Sequence, residues 1–199
     1  MKETTAASSN LFRKVTGALA VATFASIAAT TALAGPDKID ILGIIPGESG
    51  LSEIKQASID PNKDVKDGRF ELAIGGQKIT CSTDFRNGKL NFMVCPTGAG
   101  TPDWLKFTEL SNIEMHSLLA RGFAEKLGKP DSVESEVLRN RLGAQYDQNI
   151  VVWVDKQGNM LRLISRFQTP NSGILIVESS EELKDQAAKK AAKEFPKKF

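Results

Sequence analysis

The sequence predicts an α+β fold, an antiparallel sheet with helices packed on one side, and three observations predict it. Several short apolar segments are bounded by Gly, Asn and Asp turn signals, as antiparallel strands are. Three- and four-residue apolar spacing is confined to a few stretches, clearest after Ser111. A helix-then-strands order also runs twice along the chain, which suggests two tandem units. Self-similarity at the level of residues is too weak to demonstrate a repeat.

Residues 1–34 read as a secretory signal peptide. Arg13 and Lys14 form the basic n-region, no charge follows from Val15 to Pro36, and Ala32-Leu33-Ala34 is an A-x-A cleavage pattern. Thr16, Thr23, Ser26, Thr30 and Thr31 dilute the stretch, which argues against a membrane span. Lys2, Arg13 and Lys14 against Glu3 account for the whole formal charge of +2. The processed chain is therefore near neutral and carries no electrostatic footprint for nucleic acid. The segments expected are 1–34 as leader, 35–100 and 101–180 as two α+β units, and 181–199 as a C-terminal basic helix.

In the first unit an apolar run from Ile39 to Ile45 leads to Pro46-Gly47 and a short helix. Ser49 or Ser52 can cap it, with Leu51, Ile54 and Ser58 on one side. "RFELAIGGQKITCSTDF" and "KLNFMVC" read as strands, with Gly75-Gly76 and Asn87-Gly88 as tight turns.

That hairpin holds the chain's two cysteines, Cys81 and Cys95. In an oxidising compartment they are expected to pair, and with one histidine in the chain a metal site lacks ligands. A two-residue Asn-Gly turn pairs Phe85 with Leu90, Thr83 with Phe92 and Cys81 with Val94, which leaves Cys95 on the wrong face. A disulfide therefore requires a β-bulge, expected beside it.

After the connector "PTGAGTPDW", the second unit opens on the clearest helix. Ser111-x-x-Glu114 is a capping box, and Met115, Leu118, Leu119, Gly122, Phe123 and Leu127 form one stripe that Gly128 and Pro130 stop. A polar stretch follows, then the strands "NIVVWV", "MLRLISRF" and "GILIVE". Ser179-x-x-Glu182 caps a last helix with acids at its start and lysines at its end, a pattern the helix dipole favours.

The catalytic inventory is thin. The one histidine, His116, sits beside the apolar stripe with no nucleophile motif, and there is no G-x-S-x-G, Walker or H-E-x-x-H pattern. No cofactor is implied. A binding role has more behind it. Whether the loop after Val154 has two residues or four, Val151 and Trp153 are expected to share a face with Met160, Arg162, Ile164 and Arg166. Trp153, Met160, Arg162 and Arg166 are residue types enriched at interfaces, so they are the candidate binding set. The alternative is a Trp153 in the core, with the last helix covering the sheet through Leu183, Ala187, Ala191 and Phe195.

"ILGIIPGESGLSEIKQ" resembles the opening of small bacterial envelope modules built on a helix-helix-sheet unit. These are the outer-membrane-assembly lipoproteins of the BamE (SmpA/OmlA) type and the β-lactamase inhibitor protein. Ile41 to Ile45, Gly47, Ser49 and Ser52-Glu53-Ile54 carry the likeness, while the family's next Leu-Gly-x-Pro is replaced by "QASIDP". The resemblance implies a periplasmic or secreted binding module acting through its sheet face on an envelope or extracellular protein or polymer. A cell-envelope hydrolase using carboxylates is the alternative. No lipobox cysteine follows the leader, and no integral membrane segment is expected after cleavage.

Overall fold

The computed structural model describes residues 35–61, 68–74, 76–97, 112–140, 142–167 and 171–194. The expected leader (residues 1–34), Gly75, the connector from residue 98 on, Ser111 of the expected capping box, Phe195 and the last lysines lie outside the described residues.

The alternating segments build one sheet. Its strands are β1 (Arg69–Ile74), β2 (Gln77–Arg86), β3 (Lys89–Thr97), β4 (Ser132–Arg139), β5 (Gln145–Val154), β6 (Met160–Ile164) and β7 (Gly173–Glu178). All neighbours pair antiparallel in the order β1-β2-β3-β7-β6-β5-β4. A three-stranded meander from the first half thus meets a four-stranded meander from the second at β3 and β7. The sheet is open, with β1 and β4 at its edges. The helices are α1 (Leu51–Ala57), α2 (Asn112–Leu127) and α3 (Ser180–Glu194).

Register puts the core residues in rows across the middle of the sheet. Met93, Val177, Leu161 and Trp153 form one row, and Cys95, Leu175, Leu163 and Val151 the next. Onto this face α2 lays Met115, Leu119, Phe123 and Leu127, all buried, while Leu118 is half-buried and Gly122 exposed. Gly128 closes the helix with a positive φ of 83° and donates its N–H to Ala124 O. The apolar run at the start buries Ile39, Ile41 and Ile44 in the same core through a tight turn at Leu42-Gly43. In α1 only Ile54 is buried and Leu51 is exposed. Neither expected serine caps α1. Gly50 is the cap, its N–H held by the Glu53 carboxylate at 2.8 Å, and Ser49 instead accepts from Ile45 N.

The opposite face receives α3. Ser179 caps it by accepting from Glu182 N at 3.1 Å, as its spacing suggests. Gln186 bonds Glu178 on the outer face of β7, and Arg86 pairs with Glu181 and Asp185. Leu183 is half-buried, whereas Ala187 and Ala191 are exposed.

A disulfide joins Cys81 and Cys95, whose Cα atoms lie 4.2 Å apart across β2 and β3. Phe85 pairs with Leu90 as expected, but Asp84 then pairs with Phe92, so Asn91 is the extra residue. The bulge lies near the turn rather than beside Cys95, because there the displaced groups find partners. Leu90 exchanges backbone bonds with Gly47 and Ser49, and Asn91 O accepts from Ser179 N. The Asn91 side chain donates to Glu182 and accepts from the Ser179 hydroxyl at 2.7 Å.

Candidate functional site

The expected set of Trp153, Met160, Arg162 and Arg166 is not brought to one face. Asp155 N bonds Asn159 O and Gly158 N bonds Asp155 O, which makes a three-residue loop of Lys156, Gln157 and Gly158, with Gly158 at φ 81°. An odd loop reverses the parity that two- and four-residue loops share. Trp153 therefore pairs with Leu161 and Val154 with Met160. The Asp155 carboxylate fixes this loop by accepting from Gln157 N, Asn159 N and the Asn159 side chain, and it also accepts from Ile39 N.

Trp153 is consequently in the core, at 0 % exposure. Its indole N–H donates to Gly128 O at 3.0 Å, and Phe123 meets it edge-on at 5.9 Å. Met160 and Arg162 face the other side. Arg162 forms an ion pair with Glu178, a carboxylate 1 % exposed whose second oxygen accepts from Gln186 at 2.8 Å. This trio ties β6 and β7 to α3. Arg166 lies past the end of β6 at φ 51° and donates to Asp147 O. His116 is buried against the sheet with Nε2 unpartnered, and burial lowers its pKa, offset in part by backbone bonds to Leu163 and Asn149.

Two features present themselves to a ligand or partner. A cleft of about 160 Å³ opens between the Leu42 turn and Phe123 of α2, with Asp40 and Lys126 paired at 3.3 Å beside it. That volume is below the roughly 300–1,000 Å³ of small-molecule sites and suits one apolar group. Among the described residues no group of three or more His, Cys, Asp or Glu is placed to hold a metal ion.

The larger feature is the β4–β5 arm. β4 pairs with β5 over eight residues without a register shift, from Ser132 against Val152 to Arg139 against Gln145. Val133 and Val137 lie on the core-side face, yet they are 67 % and 62 % exposed, and Leu142 at the tip is 93 % exposed. Glu134 and Glu136 lie on the opposite face, also exposed. Both surfaces of β4 thus stand beyond the helix cover. The tip repeats the other loop: Asn140 N bonds Ala144 O, Gly143 N bonds Asn140 O, and the Asn140 side chain accepts from Leu142 N and Ala144 N.

That Asn140–Ala144 bond sets the alternation along the ladder. Even-numbered residues of β4 bond to β5, and Val133, Ser135, Val137 and Arg139 direct their N–H and C=O outward. The other edge differs, since Ile59 N already bonds Glu71 O on β1. Among the described residues nothing pairs with the outer edge of β4.

The sequence from Ser132 to Gln148 presents itself as a polar stretch rather than as a strand. Its signal is weak but present: Val133 and Val137 alternate with Glu134 and Glu136, and Asn140 and Gly143 mark a turn. No family model, curated protein or solved structure matches the chain.

Proposed function

We propose that this protein is a non-catalytic binding module of the periplasm or cell exterior, and that it engages an envelope or extracellular partner through the β4–β5 arm. One observation carries the reading: an eight-residue edge strand, exposed on both faces, with Val133 and Val137 in solvent and its outward backbone groups unpaired among the described residues. Natural sheets blunt such edges with charged side chains, Pro, bulges or short strands. β4 has only the first, in Glu134, Glu136 and Arg139, and an edge left long and regular is a template for pairing with a strand of complementary charge. The leader-like residues 1–34 and the Cys81–Cys95 disulfide support an oxidising compartment. The sheet remains the interacting element, through its edge in place of the Trp153 face.

Site-specific photo-crosslinking tests this in cells that express the protein. A photoreactive residue at Val137 is expected to yield a discrete adduct, and the same residue at Ala188, exposed on α3, is not. Equal adducts from both positions, or none from Val137, would sink the proposal.

A further inference from the structure

Resting on that reading, we propose that the occupant of the β4 edge is an extended segment of a partner protein bearing alternate basic residues, which adds to the sheet as an eighth strand. The outward N–H and C=O groups of Val133, Ser135, Val137 and Arg139 supply the ladder. Side chains set the chemistry. On one face a partner strand meets Val133 and Val137, so it carries apolar or β-branched residues there. On the other it meets Glu134 and Glu136 two residues apart, so Lys or Arg two apart on the incoming strand lie directly opposite both carboxylates.

The same geometry disfavours a second copy of this chain. Antiparallel pairing of two β4 strands about Ser135 sets Val133 against Val137 but also Glu134 against Glu136, twice. Like charges directly opposite are destabilising. Sliding the strands to avoid that contact shortens the ladder.

Peptide binding to the purified protein by titration calorimetry tests the proposal. The probes are a capped Thr-Val-Lys-Thr-Lys-Val-Thr peptide and its counterpart with Glu in place of Lys. The Lys peptide is expected to bind at least about tenfold tighter, since two cross-strand ion pairs replace two repulsions. Added salt should narrow the gap. The double variant Glu134→Lys/Glu136→Lys should invert the preference. Ser135→Pro removes an outward N–H without touching the bonds to β5, since Pro is tolerated on the open side of an edge strand; it should abolish binding of both peptides. Matching circular dichroism and Trp153 fluorescence establish that each variant is folded.

If the charge swap leaves the preference unchanged, the basic partner is wrong while strand addition stands. Undiminished binding by Ser135→Pro means that strand addition itself is wrong, whatever the crosslinking from Val137 shows. Should neither peptide bind while sedimentation shows a dimer that Ser135→Pro abolishes, the occupant is a second copy and the proposal falls. No binding and no dimer overturns it as well.

Discussion

At residue scale, the buried groups on either side of the sheet make opposite demands. Glu178 is almost without solvent and depends on Arg162 and Gln186. Removing one partner of such a pair strands the other charge, whereas replacing both with apolar groups removes the desolvation cost as well. Arg162→Met should therefore lower stability by about 3 kcal/mol in urea unfolding. The double variant Arg162→Met/Glu178→Leu should recover most of that loss. A double variant no better than the single one would show that the trio is not coupled. His116 is a different case, since burial lowers its pKa in the fold below the ordinary 6.5 that the unfolded chain keeps. Below that value the unfolded chain takes up a proton that the fold resists, so stability falls as pH drops from neutrality through 6.5. His116→Gln should flatten that limb of the pH–stability curve, and a limb unchanged in the variant would assign it to other groups. Neither behaviour was legible in the sequence. The pattern placed Arg162 and Trp153 on one face, and only the odd loop built by Asp155 and Gly158 separates them. Loop parity is set by hydrogen bonds that composition does not reveal, so a one-residue difference decides between the surface and core positions that the sequence leaves open for Trp153. It is α2 rather than the last helix that covers it.

At the scale of elements, parity succeeded where the turn was explicit. Asn87-Gly88 with cysteines separated by 14 positions demands one extra residue, and the need for a bulge followed from the sequence. Its position did not, because that was decided by partners far along the chain: Gly47, Ser49, Ser179 and Glu182 all meet Leu90 and Asn91. A deletion separates the two roles. Without Asn91 the ladder runs regularly from Phe85 against Leu90 through Cys81 against Cys95, so the disulfide should still form. The polar links to α3 should be lost. Mass spectrometry after thiol alkylation reads the first outcome, and faster hydrogen exchange at the start of α3 reads the second. Free thiols in the deletion would mean that the bulge, not the register, holds the cysteines together. The helices were legible in proportion to their burial. The stripe of α2 is plain because four of its residues meet the sheet. By contrast α3 packs little beyond Leu183, so its sequence signal is a cap and a charge gradient rather than a stripe. β4 was missed for the same reason: a strand exposed on both faces has no core pattern to impose on its sequence.

At the scale of the molecule, the repeated helix-then-strands order is real as an order, yet both halves contribute to one sheet and one core. The β3–β7 junction is internal to the sheet, and the row from Cys95 through Leu175 and Leu163 to Val151 crosses it without a break. The N-terminal segment reinforces the junction from outside. Pro36 and Ile39 bond the Asp155 loop of the second half, while Gly47 and Ser49 bond Leu90 of the first. An isolated three-stranded meander would expose one long edge of β3 and the apolar rows that β7 and α2 cover, which is more than so small a core can offset. The chain from residue 35 on should therefore unfold in a single transition, with Trp153 fluorescence and far-ultraviolet circular dichroism giving coincident midpoints. A fragment ending at residue 100 should show no cooperative unfolding even with its disulfide formed. Asp155→Ala should lower the midpoint for both probes together, because that carboxylate serves the loop of one half and the Ile39 N–H of the other. Two separate midpoints, or a fragment that folds by itself, would mean that the halves are independent units lying side by side in a shared sheet.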